Sequence, residues 1–274
     1  MGALLGAAAA LCIGLSDLFG RRAVAARGAV ATAMAMQAVA TVVSAAMLLV
    51  VGSTFGLGDV VVGMVSGLGL GVGLGCYLGG LARSTSTVVS PIVATISAVV
   101  PFTYAVARGA TASVWSVCGA SVAIGGLLLI TVGGGRVAHV AVGVRWALVS
   151  GLGYGVGLSI VIEASEASGA WPAVAQRATA LLLMLAVALR STGGVPSLAG
   201  MRLTVLVAGT FAAMSTVFYL LGVQADTTPA VVTASMFPAV TVAVGRAFYG
   251  DAVGRSQLLG LVVVLLGVAA VVAA

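Results

Sequence analysis

Residues 77–83 read Tyr-Leu-Gly-Gly-Leu-Ala-Arg, and residues 219–226 read Tyr-Leu-Leu-Gly-Val-Gln-Ala-Asp. The phrase occurs twice, with Tyr77 and Tyr219 set close to half the chain apart. Other landmarks recur at nearly the same offset: Gly14, Gly28, Gly109 and Gly119 are matched in turn by Gly155, Gly169, Gly250 and Gly260. A repeat of half the chain's length marks a duplicated unit. Membrane carriers are commonly built from two such halves with a solute site between them.

Composition places that unit in a bilayer. The chain is 61% hydrophobic and 7% charged, with a mean hydropathy of +1.26, whereas a soluble domain of this length needs about a quarter of its residues charged. All 12 basic residues are arginine and give a net charge of +6. They are scattered at the ends of apolar runs and form no basic stripe, so nucleic acid is not an expected partner; they read as interfacial anchors and topology signals. Cys12, Cys76 and Cys118 fall inside apolar runs without a paired motif and read as packing residues. The single histidine, His139, makes a metal site improbable. The first apolar segment, Ala3 to Leu18, lacks a basic leading region and runs into Arg21 and Arg22. It reads as a first membrane helix rather than a removable leader.

Breaking the chain at charged and Gly/Pro-rich points predicts an all-α polytopic protein with ten spans in two fives. The first five lie near 3–22, 29–52, 60–82, 86–107 and 113–132, and the second near 146–165, 171–189, 203–224, 228–249 and 256–273. The division falls in the Gly-rich linker Gly133-Gly134-Gly135-Arg136, giving halves 1–135 and 136–274. An odd number of spans per half inserts the second half upside down. Matched positions should then carry opposite charge bias. Arg22 is matched by Glu163 and Arg83 by Asp226, and the loop after span 2 holds Asp59 where that after span 7 holds Arg190 and Arg202. The arginines collect in the loops 1–2, 3–4, 5–6, 7–8 and 9–10; the other side has Arg108 with Asp59, Glu163, Glu166 and Asp226. Positive-inside then puts both termini on the extracytoplasmic side of a plasma membrane.

This pattern resembles the drug/metabolite transporter superfamily, specifically its ten-helix EamA-type members. Phe237-Pro238, Tyr249-Gly250-Asp251 and Leu259-Gly260 are similar to the family's proline, its glycine–acid turn and the glycine of its last helix. Ser90-Pro91 and Val132 fit in the first half, although Ala110 stands where the family usually has an acid. Gly14-Leu15-Ser16-Asp17-Leu18-Phe19-Gly20 resembles the first-helix motif of some bacterial members. The resemblance implies alternating access, often in exporters of amino acids, other metabolites or amphiphiles. It also implies cytoplasmic termini, against the arginine count.

Candidate site residues follow from depth and chemistry. Asp17 lies deep in span 1; it either exchanges a proton or a cation as a desolvated acid, or is the partner of Arg21 one turn on. Gln37 in span 2 and Arg177 in span 7 are near-equivalent positions of the two halves. A guanidinium at that depth either faces the bundle interior, where it would bind a solute carboxylate or an internal acid, or snorkels to the interface. Tyr77, Tyr104, Tyr154 and Tyr219 supply aromatic walls with hydroxyl tips, Tyr77 and Tyr219 being alternatively belt residues at the interface; Ser90, Thr95 and Ser235 sit near the prolines, either as further lining or bonded back to their own helix. The expected substrate set is Gln37, Tyr77, Ser90, Tyr104, Tyr154, Arg177 and Ser235, with Asp17 as the proton-coupling group. Pro91 and Pro101 should interrupt span 4, and Pro238 its counterpart span 9, as hinges or static bends. The series Gly67, Gly71, Gly75 and Gly151, Gly155 present small residues along helix faces for close packing.

The leading function is a secondary transporter, most simply an exporter, of a small organic metabolite or drug-like solute, its cavity lined by spans 1–4 and 6–9. A non-transporting or lipid-handling membrane subunit is the alternative. An intramembrane enzyme is disfavoured, because HExxH and GxSxG are absent. No phosphate-binding loop suggests ATP use and no cofactor or metal is expected. The expected partners are the solute and the lipid bilayer, with transport either coupled to protons through Asp17 or uncoupled, and with the chain acting as a monomer or homodimer.

Overall fold

The computed structural model describes residues 1–84, 86–109, 113–132, 140–192, 194, 197, 199–234, 236–249 and 254–272. Among them are eleven α-helices, one 3-10 turn at Glu166–Ser168, and no strand. The helices are α1 Gly2–Arg27, α2 Ala29–Met47, α3 Leu57–Arg83, α4 Ser86–Ala107, α5 Val114–Val132 and α6 Val140–Val161, followed by α7 Trp171–Thr192, α8 Arg202–Ala225, α9 Thr227–Ala234, α10 Phe237–Tyr249 and α11 Arg255–Val272. Six of them, α1, α2, α3, α6, α7 and α8, are long and apolar enough to cross a membrane. Large apolar side chains such as Leu68, Leu152, Leu182 and Leu206 point outward, more than half exposed, as a lipid-facing surface requires. The predicted linker at Gly133–Arg136, Ser235, and the Gly250-Asp251 turn lie outside the described residues.

Helix ends follow local chemistry. α1 continues past Arg22 because Ala23–Arg27 contains no breaker, and stops at Gly28, whose φ of 83° only glycine adopts freely. α3 carries Asp59 in its first turn and Arg83 in its last, each answering the helix dipole. Its 27 residues span about 40 Å, more than the hydrocarbon thickness. Two expectations need correction. Arg145 lies within α6, which begins at Val140 rather than near 146, since Val140–Val144 is apolar and helix-compatible. Span 4 is not interrupted: α4 runs unbroken through Pro91 and Pro101. The break occurs in the second half, where α9 ends at Ala234 and α10 begins at Phe237. Pro238 thereby occupies the first turn of α10, where a missing N–H costs nothing.

The packing repeats with the same offset as the sequence. α1 packs on α8 as α3 packs on α6; α9 and α10 pack on α1 as α4 packs on α6; α2 packs on α8 as α7 packs on α3. α5 and α11 pair with each other. A methyl added at Gly126 would lie 2.8 Å from the Gly260 carbonyl oxygen and 2.7 Å from the Val264 nitrogen. One added at Gly267 would lie 2.6 Å from both the Gly119 carbonyl oxygen and the Ala123 nitrogen. Every residue of the first contact reappears in the second at its matched position in the other half. Gly14 meets Val240 and Thr241, and Gly155 meets Val100; Gly67 meets Gln176 and Thr179, and Gly209 meets Met36 and Val39. These glycines are where backbones touch, as small residues permit in lipid.

Direction can be read from the same contacts. Rising numbers in α5 meet falling numbers in α11, so these helices run antiparallel. One end of the bundle gathers Gly2 against Asp226, Asp59 against Ser165, and Arg108 against Glu163. The other gathers Arg27, donating to Ala199, and Arg83, stacked 4.8 Å above the Trp146 ring. Arg83 and Asp226 therefore sit at opposite ends.

Candidate solute cavity

A cavity of about 90 Å³, measured as space open to the centres of water molecules, lies among α1–α4 and α6–α10. One water needs about 10–15 Å³ by that measure, so the space holds several waters or one small solute. Its walls come in matched pairs: Ile13 with Tyr154, Asp17 with Leu158, Met36 with Gln176, Gln37 with Arg177, Tyr77 with Tyr219, and Val93 with Ala234. The members of each pair stand one repeat length apart in the chain. No described residue of α5 or α11 lines the cavity, and these two helices pack on each other.

Most members of a pair differ chemically, so the cavity is symmetric in shape and asymmetric in charge. Its acidic arm is Asp17. The Tyr77 hydroxyl lies beside the Asp17 carboxyl group and is hydrogen-bonded, at 3.1 Å, to Ser90 on α4. Arg21 faces Asp17 along α1, and Tyr154 approaches from α6. At the matched place in the second half Tyr219 donates to the backbone carbonyl of Leu158, 3.4 Å away. The two tyrosines thus hold equivalent positions, one beside a carboxyl group and one on an amide.

The basic arm is Arg177, buried at 5% exposure two turns into α7. Its Nη1 donates to Gln37 Oε1 at 3.3 Å, and its Nη2 donates to the Ala212 carbonyl and to Thr216 Oγ1. Those bonds fix the guanidinium plane against α2 and α8. Both alternatives left by the sequence are decided for this residue: it faces inward and does not snorkel. Gln176 beside it donates to Ser66 Oγ at 2.5 Å, and Ser66 donates to the Gly157 carbonyl at 2.6 Å. Ser16 donates to the Ala208 carbonyl at 2.9 Å, clamping α1 to α8 at the matched place.

Of the expected site residues, Asp17, Gln37, Tyr77, Tyr154 and Arg177 line this one cavity. Ser90 touches it only through Tyr77. Tyr104 is not brought there: its hydroxyl donates to Glu163 at 2.8 Å, near the acidic end of the bundle. Arg108 grips the same carboxylate twice, Nε to Oε1 at 3.0 Å and Nη2 to Oε2 at 2.7 Å. These bonds, Arg108 first and Tyr104 second, hold the Glu163 carboxyl below the usual range. Pro101 cannot supply an N–H to the carbonyl of Ser97, nor Pro238 to that of Ala234, and both of those residues line the cavity. Lining residues that sequence reasoning missed include Ser16, Ser97, Gln176, Ser215 and Thr216. Gln176 had a usable signal, its match to Met36 across the repeat; the small hydroxyl residues had none.

The structure is that of an all-α, multi-pass membrane bundle with a mainly apolar cavity among its helices. Residues 1–132, just under half of the chain, match the EamA-like transporter family. No curated protein sequence matches the chain. A crystal structure of a protein of unstated function has the same fold, with a TM-score of 0.73 and 17% identity over 98% of this chain and 95% of that one.

Proposed function

We propose that the chain is a secondary transporter, exporting a small organic solute by alternating access between two inverted five-helix units, 1–135 and 136–274. The observation that carries this reading is the cavity's position. Equivalent residues of both halves meet there, so a rocking motion that closes one end and opens the other leaves the solute contacts in place. The helix ends charge the bundle oppositely, which under the positive-inside rule puts the arginine-rich end in the cytoplasm and both termini outside a plasma membrane. Asp17 is the proton-coupling group, with Tyr77 and Ser90 as a hydroxyl path from it and Arg21 and Tyr154 as the other groups facing it. The break before Pro238 and the unbroken, proline-bearing α4 serve as the unlike hinges of the two units. The working form is a monomer or a homodimer.

Purified protein in liposomes tests this. Preloaded solute should exchange with labelled external solute in a saturable way, and Asp17→Asn should remove the dependence of net flux on a pH gradient while leaving exchange intact. Absence of exchange for every solute that stabilises the protein would overturn the carrier assignment. Unaltered pH dependence in Asp17→Asn would remove its proton role.

A further inference from the structure

We infer that Arg177 and Gln37 form the seat of a carboxylate group, so that the solute is a small organic acid anion; this rests on the carrier reading above and narrows it. Two donors in the cavity wall lack acceptors among the described residues, Nε of Arg177 and Nε2 of Gln37. The residues that bear them are only 5% and 1% exposed, and both line the cavity. A buried N–H without an acceptor is costly, the more so on a charged group. Two of them flanking one hydrogen bond, Arg177 Nη1 to Gln37 Oε1, call for a ligand rich in acceptors.

Charge gives the second argument. Arg177 makes no ion pair among the described residues; its remaining N–H groups go to neutral oxygens. The acid of the same cavity, Asp17, is answered by Arg21 on its own helix. With Asp17 answered on its own helix, Arg177 is left without an anionic partner among the described residues, at a depth where an uncompensated guanidinium is expensive. A carboxylate supplies the missing charge and accepts from the unused donors, as guanidinium–carboxylate geometry favours. The neutral, hydroxyl-poor wall of Leu70, Leu74, Val93 and Leu158 leaves room for a short apolar tail. The matched pair itself explains the placement: Gln37 and Arg177 meet where the two halves face each other, so the seat is reachable from both ends as the halves rock.

The probe pair is propionate and propionamide, equal in size and different in charge. Full-length protein in detergent should be stabilised by millimolar propionate in thermal unfolding and unaffected by propionamide, since a ligand raises Tm only by binding the folded state. Gln37→Glu places a carboxylate in the seat. It should raise the Tm of the free protein and abolish the propionate shift. Gln37→Met, which keeps the volume and removes the donor, should weaken propionate binding about tenfold. Equal responses to propionate and propionamide, or an undiminished propionate shift in Gln37→Glu, would overturn the proposal. Exchange of neutral solutes without propionate binding would remove the seat and leave the carrier; propionate binding without any exchange would do the reverse.

Discussion

At the residue scale the chemistry is concentrated in few groups. Among the described acids and arginines, only Asp17 and Arg177 line the cavity, and their surroundings separate their roles. Asp17 has a tyrosine hydroxyl and an arginine as neighbours, whereas Arg177 is held by neutral oxygens and has spare donors. The ion pair at Glu163 is of another kind. With Arg108 60% exposed, it tethers α4 to the loop after α6 in water, where such pairs contribute little. Because its folded carboxyl sits below the usual range, it stabilises above the ordinary glutamate pKa, and the contribution is lost as pH falls through the folded value. Glu163→Gln is expected to lower Tm by about 1–2 °C at neutral pH. Scanning fluorimetry should show wild type and variant converging in acid; a gap that persists there would mean the site acts through packing instead.

At the element scale, glycine decides which helices touch. Backbone meets backbone at Gly126 and Gly267, so α5 and α11 approach without intervening side chains. Gly126→Val is expected to force them apart and destabilise by roughly 1–3 kcal/mol. Its neighbour Gly125 has open space where a Cβ would go, so Gly125→Ala should be neutral or slightly stabilising by helix propensity. Thermal unfolding in detergent compares the two, and equal losses would contradict the packing described. The proline pattern belongs to this scale as well. Proline positions were readable, but their effects differ between α4 and the α9–α10 pair. A proline late in a helix bends or breaks it only as its neighbours allow, which the chain alone does not reveal.

At the scale of the molecule, the antiparallel run of α5 and α11 and the opposite charge of the two ends belong together. In a variant lacking Cys12, Cys76 and Cys118, single cysteines at Ser113 and Ser197 report the two ends, since both positions are exposed. An impermeant maleimide applied to intact cells should label Ser113→Cys and spare Ser197→Cys. Labelling of both would break the inverted arrangement; the reverse pattern would overturn the orientation alone. Much of the architecture at this scale was legible beforehand. Apolar run length is a local property that the bilayer reads directly, and the constant offset between the halves made matched contacts foreseeable.

The linear chain by itself determined that this is an all-α membrane protein, roughly where most of its helices fall, and that Gln37 and Arg177, like Tyr77 and Tyr219, are matched places across the repeat. Hydropathy and self-similarity are written into composition and spacing, so no fold is needed to see them. Only the tertiary structure decided that Tyr104 belongs to a surface ion pair, that Gln176, Thr216 and Ser97 reach the cavity, and that Arg177 ends with an unused donor and no ion pair among the described residues. Those outcomes depend on which face each helix turns inward and on which neighbour it meets there, and packing sets both between segments far apart in the chain.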